Sequence, residues 1–330
     1  MVAVEVVMVT DQLADSYEVV VIGGGAAGLN GALLLARARR SVVVIDAGAP
    51  RNAPAAGVHG LLGREGTDPA ELLAHGRAEV RGYGGHVVPG EVAVATRTDD
   101  GFVVELADSR TVRARRLLVT TGLVDELPDV PGLQARWGRD VLHCPYCHGW
   151  EVRDRAIGVL NSGPMSVHQA LLFRQLSADV TFFTHSRQVP TEDEAEQLAA
   201  RGIRVVPGEV ASLEVVDDRL AGVRLTDGTP VDCDAVVVSS RMVARAGFLD
   251  ALGLQPVEHP AGVGAHIPAD PTGRTDVPGV WVAGNVTDLV AQVGNAAAAG
   301  AAAAAQINAD LVTEETRQAV DAARATAPTG

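Results

Sequence analysis

The run YEVVVIGGGAAGLNGALLLARARRSVVVIDAG, residues 17 to 48, leaves the chain little choice of fold. A β-branched apolar stretch enters a glycine turn, a helical pattern follows, and a second β-branched stretch comes after it. Strands alternating with helices in this way point to parallel α/β architecture. Gly23, Gly25 and Gly28 stand in the spacing GxGxxG at the strand–helix junction. The first allows a tight turn, the second lets a pyrophosphate come close to the backbone, and the third lets the helix pack on the sheet. With Ala26 and Ala27 they open the helix, whose free N–H groups and positive dipole end favour an anion. Asp46 closes the second strand, where it would accept hydrogen bonds from ribose hydroxyls. The stretch predicts a dinucleotide site.

The pattern recurs. RAIGVLNSGPMSVHQALLFRQLSADVTFFTH, from residue 155, is again strand, glycine turn, helix and strand. Each unit carries a β-meander: EVAVATRTDDGFVVELADSRTVRARRLLVTTG turns at DDG and ADSR, and RLAGVRLTDGTPVDCDAVVVSS forms a hairpin. DVPGVWVAGNVTD returns as a closing strand, followed by an Ala-rich helix. The second unit therefore reads as inserted into the first. Expected limits are 16–119 plus 245–312 for the outer domain and 120–244 for the inner one, with tails at 1–15 and 313–330. DPAELLAHGRAEVRGYG reads as a helix capped by Asp68, with Pro69 in its first turn. The polar stretch APRNAPAAGVHGLLGREG is too long for a plain connector and is expected to be functional.

Composition limits the partners. The chain has 330 residues and a formal net charge of -14, with no basic block, which argues against nucleic acid and an anionic membrane surface. No strongly apolar run is long enough for a span; NAAAAGAAAAAQI reads as a buried helix. The opening MVAVEVVMVTDQLADSYE lacks a basic n-region and reads as a short tail rather than a signal peptide. Three cysteines are too few, and odd in number, for a secreted disulfide scaffold, so a reducing cytoplasm is expected.

Two of those cysteines stand in HCPYCHGWE, residues 143 to 151. His143, Cys144, Cys147 and His148 lie in one short run that can hardly wrap a tetrahedral metal, so no metal is expected. A disulfide across so small a loop constrains little of the unfolded chain. A vicinal dithiol that cycles between thiols and disulfide remains, with the imidazoles as acid–base groups. Cys233, in VDCDAVVV, reads as a small buried hydrophobe.

LLVTTG, with Thr121 and Gly122, resembles the second signature of FAD proteins, and VWVAGNVTD, with Gly284 and Asn285, resembles the third. Gln292 and Val293 would then start a helix aimed at the flavin. Together with the CxxC on the inserted unit, these motifs resemble the thioredoxin reductase family over roughly residues 16 to 312. The resemblance implies two Rossmann-like, three-layer ββα domains, the second inserted into the first, bound FAD and a homodimer. It also implies that Cys147 abuts the flavin while Cys144 faces the substrate.

Two features depart from the ordinary reductase. His148 stands where an Asp follows the second cysteine. In the second glycine turn, NSGPMS, Asn161 replaces the first glycine and Pro164 has no N–H to offer a phosphate. Only Arg187 is near the strand end where NADPH would need a basic cluster, which makes NADPH doubtful. With the PRN and HG elements (Arg51, Asn52 and His59, expected beside the cofactor), this combination resembles the flavin-dependent dithiol oxidases of gliotoxin and holomycin type. That resemblance implies oxidation of a small dithiol to a disulfide, with O2 as acceptor and hydrogen peroxide as product. The alternatives are an NADPH- or ferredoxin-dependent disulfide reductase and, further off, a flavin-binding redox sensor.

Overall fold

A computed structural model describes residues 11–187 and 189–326. The strands Ser16–Ile22 and Val42–Asp46 pair in parallel, Val19 opposite Val42 and Ile22 opposite Ile45. Their side chains alternate between two cores. Val20, Ile22, Val43 and Ile45 face the meander, while Val19, Val21, Val42 and Val44 face the helices. Both faces are covered, so the runs are apolar throughout rather than alternating with polar residues.

The first sheet has seven strands, in the order His86–Pro89, Val42–Asp46, Ser16–Ile22, Thr111–Val119, Gly101–Leu106, Val92–Thr98, with Val280–Val282 also on Thr111–Val119. Thr111–Val119 is long because it pairs with Ser16–Ile22 along one edge and serves two strands in turn along the other. Its first half pairs antiparallel with the meander, and residues 117 to 119 pair parallel with Val280–Val282. TVRAR accordingly alternates in burial, whereas LLV is buried throughout.

The second unit repeats the plan. Arg204–Val206, Val180–Phe183, Ile157–Leu160, Ala235–Val237 and Val141–Leu142 form an all-parallel sheet, beside a meander of Val210–Val216, Arg219–Leu225 and Pro230–Asp232. The chain leaves the first unit through Leu123–Glu126 and returns through Arg241–Ala244. These strands pair antiparallel, Leu123 opposite Ala244, and Gly264–His266 and Val257–Glu258 extend them to four strands. The architecture is the expected pair of three-layer α/β units, one inserted in the other.

Helix Pro69–Gly82 begins as expected: the Asp68 carboxylate accepts from Ala70 N at 2.7 Å and Glu71 N at 3.2 Å. The closing helix, Val293–Thr326, runs well past residue 312. Residues 313–326, expected as tail, are helical, and ion pairs hold the start of that stretch to the first sheet. Arg115 reaches Glu314 at 3.0 Å and Glu315 at 2.7 Å, and Arg40 reaches Glu315 at 2.7 Å. Residues 1–10 and 327–330 of the expected tails lie outside the described residues. Asp11 is already anchored, 2.8 Å from both Arg81 Nε and Val87 N.

The Ala-rich run is explained by closeness. A Cβ on Gly300 would lie 1.9 Å from the carbonyl oxygen of Ala27, and one on Gly31 would lie 2.6 Å from Leu118. The helices Ala26–Arg37 and Val293–Thr326 thus touch backbone to backbone, which brings both their starts to one cleft. Among the described residues no helix is long and apolar enough to cross a membrane. Gly300→Val must push the helices apart; urea unfolding is expected to show a loss of about 1–3 kcal/mol, the usual cost of overpacking. Unchanged stability would contradict this close contact.

Candidate active site

The glycine turn is built as a cradle. Gly23 has φ +109°, and a Cβ there would lie 2.5 Å from Thr120 O. Thr120 Oγ1 donates to Gly23 O at 2.8 Å and fixes the turn. A Cβ on Gly28 would lie 1.9 Å from Gly23 O, so only glycine lets the helix start this close to the strand. Gly24, which the motif spacing leaves unassigned, is required too, since a Cβ there would overlap the Asp46 carboxylate at 2.4 Å. Gly25 is different: nothing lies within 4 Å of its Cβ position, and it caps helix Ala26–Arg37 with no side-chain hydrogen bond and no acid in the first turn. The N–H groups at this helix start face open space, which is what a pyrophosphate needs. Asp46 lies at the same rim, with Arg77 Nη1 3.7 Å away. These residues fit the dinucleotide of FAD.

The cradle opens into a cleft of about 2120 Å³. Small-ligand pockets usually measure ~300–1,000 Å³, so there is room for a dinucleotide and a second molecule. Among the residues lining it are Gly23, Gly25, Ala26, Ala27, Asp46, Arg51, Asn52, Thr121, Gly122, Gly284, Asn285, Gln292 and Val293. His143, Cys144, Cys147 and His148 line it as well, so the fold brings thiols and cradle to one space. His59 does not line this cleft. Its ring turns to Glu65, 2.6 Å from Nδ1, in a separate cavity.

Several of the expected cofactor residues have structural tasks. Thr121 Oγ1 donates to Arg245 O at 2.6 Å, tying the exit of the first unit to its return. Asn285 Nδ2 donates to the carbonyls of Asp288, Leu289 and Ala291 at 3.0, 3.3 and 2.9 Å. An aspartate could not donate these bonds, which accounts for the amide at this position. Arg51 makes a forked pair with Asp125, Nε at 2.6 Å and Nη2 at 2.7 Å, and Ser240 Oγ donates to the same carboxylate at 2.6 Å. Burial opposes the charge of Asp125, but the bonds from Arg51 and Ser240 outweigh it and hold the carboxyl below its ordinary pKa. No motif marked Asp125 or Ser240.

Cys144 ends the segment after strand Val141–Leu142 and caps the one-turn helix Pro145–His148, with Pro145 in its first position. The turn closes through Cys147 N and His148 N, which donate to Cys144 O at 3.3 and 3.2 Å. Both thiols are free and half-buried, and they touch. The hydrogen bond from Cys147, the backbone N–H groups of Cys147 and Tyr146 and the charge of Arg51 draw the Cys144 thiol down to about 7 against the cost of burial. Cys147, the donor of that bond, is pushed up. In the reduced protein, alkylation by iodoacetamide should therefore start at Cys144, its rate rising through a pH of about 7. Arg51→Met should raise that midpoint; a wild-type midpoint at the ordinary value of 9.0 would contradict the assignment.

The imidazoles are not equivalent. His143 Nδ1 donates to Val238 O at 3.1 Å, so this ring is committed to the sheet; burial first, then Arg51, lowers its pKa. His148 Nε2 is buried and has no hydrogen-bond partner among the described residues. Burial lowers the pKa of His148, with Glu151 opposing, which keeps the ring neutral and ready to accept a proton near neutrality.

The second glycine turn is closed by its own chain. Ser166 Oγ accepts from Ser162 N at 3.2 Å and from Gly163 N at 3.0 Å. A Cβ on Gly163 would lie 2.5 Å from Ser239 Cβ. At the following strand end, Thr184 Oγ1 accepts from Gly208 N at 3.1 Å and His185 Nδ1 from Val210 N at 3.2 Å. Among the described residues no three His, Cys, Asp or Glu side chains are grouped to hold a metal ion.

A dinucleotide cradle and a vicinal thiol pair on one cleft define an FAD-dependent thiol–disulfide oxidoreductase. The pyridine nucleotide-disulphide oxidoreductase family profile matches residues 17–300, and the chain belongs to that family. Within it the chain is thioredoxin reductase-like, close to the gliotoxin- and holomycin-type dithiol oxidases that its motifs resemble. It is 31% identical to the thioredoxin reductase tcpT of Claviceps purpurea, over 92% of this chain and 97% of that protein. The thioredoxin reductase sirT of Leptosphaeria maculans is 30% identical, over 88% of this chain and 93% of its own length. The crystal structure of HlmI is 48% identical and superimposes with a TM-score of 0.88, covering 96% of this chain and 100% of that one. The protein acts on a dithiol–disulfide pair with FAD as cofactor.

Proposed function

We propose that the protein oxidises a small-molecule dithiol to its intramolecular disulfide, with O2 as the electron acceptor and hydrogen peroxide as the product. The observation that carries this is the second glycine turn. Two of its N–H groups already bond Ser166 Oγ, and Pro164 has none, so the turn offers a nicotinamide dinucleotide fewer donors than the first glycine turn offers FAD. This favours entry of electrons through the thiols. Relatives including tcpT and sirT bear the name thioredoxin reductase, which makes NADPH-dependent disulfide reduction the second reading.

In the oxidised form of the protein Cys144 and Cys147 are joined as a disulfide. A substrate thiolate attacks Cys144 Sγ, a mixed disulfide forms, and Cys147 leaves as thiolate. The His148 imidazole takes the proton of the second substrate thiol, which attacks the mixed disulfide and releases the cyclised product. The electron pair then rests on the two cysteines at the wall of the cleft. FAD, held at Gly23–Gly28, Asp46 and the start of the closing helix, supplies a two-electron acceptor that oxygen regenerates. Arg51 stabilises thiolate at the pair throughout. The same reading keeps two domains, exchanged at the paired crossing strands, in a cytoplasmic homodimer.

Oxygen uptake with a panel of small dithiols tests the proposal. Uptake and stoichiometric peroxide are expected without NADPH, and unchanged with it. Uptake that requires NADPH would overturn the reading in favour of a reductase.

A further inference from the structure

Behind the redox turn lies a second cavity, of about 480 Å³. Pro145 and Tyr146, the two residues between the cysteines, form one wall; His59, Glu65, Trp150 and Glu151 are among the others. The titratable groups in it, and His148 beside it on the wall of the main cleft, are graded in exposure. His148 Nε2 is fully buried and without a partner among the described residues. Glu151 lies three residues on, along the helical turn that continues through Trp150–Val152, on the same side as His148. His59 Nε2 is 3.6 Å from Glu151 Oε1, and its side chain is 24% exposed. His59 Nδ1 is 2.6 Å from Glu65 Oε1, and Glu65 is 67% exposed. Gly60 N donates to the other Glu65 oxygen at 2.9 Å, which fixes that carboxylate although it faces solvent.

We propose that Glu151, His59 and Glu65 form a proton path that connects His148 to solvent behind the CxxC turn. An imidazole takes a proton at one nitrogen and gives one from the other, and His59 has a carboxylate at each. The 3.6 Å step closes to a direct hydrogen bond with a small shift of either side chain. The path answers a need of the chemistry, and in this it rests on the dithiol oxidase reading. Oxidation of a dithiol breaks two S–H bonds, forms one S–S bond, and yields two electrons and two protons. Reduction of O2 to hydrogen peroxide takes up the same two electrons and two protons. Between these halves protons must be held while substrate fills the main cleft, and His148 must be reset as a base. The charged and titratable groups acting on His148 are Glu151 and His59; those at His59 are Glu65 and Glu151.

The test uses the FAD-loaded protein, dithiothreitol as the dithiol, no oxygen and weak buffer. Flavin bleaching in His59→Ala should slow about tenfold, a part of the ~100-fold or more that a direct acid–base group contributes. Added imidazole should restore the rate. His59→Gln, which keeps more of the side-chain volume, should behave alike if the alanine variant folds poorly. A variant that bleaches at the wild-type rate, or whose loss imidazole does not repair, overturns the path. A readout free of turnover is the ring NMR titration of His148. Glu151→Gln should lower its midpoint and His59→Ala should raise it; an unmoved midpoint also overturns the path. If dithiothreitol fails to bleach the wild-type protein while its His148 midpoint responds as stated, the dithiol oxidase reading fails instead.

Discussion

Cys147→Ser is expected to give a yellow protein that no dithiol bleaches, with turnover below about one part in 10⁴ of wild type, the scale on which loss of a covalent nucleophile is felt. A serine cannot form the disulfide that the substrate must attack, so the electron pair has no place to go. The fold should survive, because the turn is held by backbone bonds from residues 147 and 148 to Cys144 O rather than by the thiols. Cys144→Ser should be equally inactive. Cys233→Ser is the control. That side chain is 3% exposed in the inner core, and burial pushes its thiol up to about 12, so it should keep full turnover. Absorbance at the flavin band and oxygen uptake check all three; bleaching of Cys147→Ser by substrate would break the proposed route.

His148→Asn carries the next largest effect. A positioned acid–base group contributes ~100- to 10,000-fold, and a loss in that range is expected in the rate of anaerobic bleaching by dithiol. The pH profile gives the sign. Burial lowers the pKa of His148, so the ring is neutral above a value that lies below the ordinary 6.5. Below the rise set by ionisation of the dithiol itself, the wild-type profile should therefore carry a further limb that falls as pH drops through that lower value. The variant should lose this limb of the profile. His143→Asn should leave it in place, because the His143 ring is bonded to Val238 O. A variant of His148 with the wild-type profile would assign the proton transfer elsewhere.

The parts of this molecule that sequence made legible are those where backbone chemistry permits few residues. At Gly23, Gly25 and Gly28 a side chain would collide with the turn or obstruct an anion, and the spacing of these glycines shows where strand becomes helix. The paired thiols are equally plain, since two cysteines and an adjacent imidazole have few uses in one short run. The unread parts depend on side-chain direction or on distant partners. His59, expected beside the cofactor, belongs to a loop tied back by the bridge between Val58 and Thr67, and it turns to Glu65. Arg51 finds Asp125 across 74 residues of chain, a pairing with no period to reveal it. Asn285 lines the cleft as expected of a cofactor residue, but the loop that its amide nitrogen knots has no signal in the sequence. The crossing strands are only 4 residues each, too short for alternation to show. The closing helix runs past its expected end, where Arg40, Arg115 and Arg116, far back in the chain, bind Glu314 and Glu315.

One anaerobic titration addresses the central claim that electrons enter from a dithiol through Cys144 and Cys147 to the flavin. The purified yellow protein is mixed in turn with one equivalent of a small dithiol and with excess NADPH, and the flavin band is followed. The dithiol should bleach the band in a Cys144- and Cys147-dependent way, and NADPH should leave it unchanged. Rapid bleaching by NADPH with none by any dithiol would contradict the account.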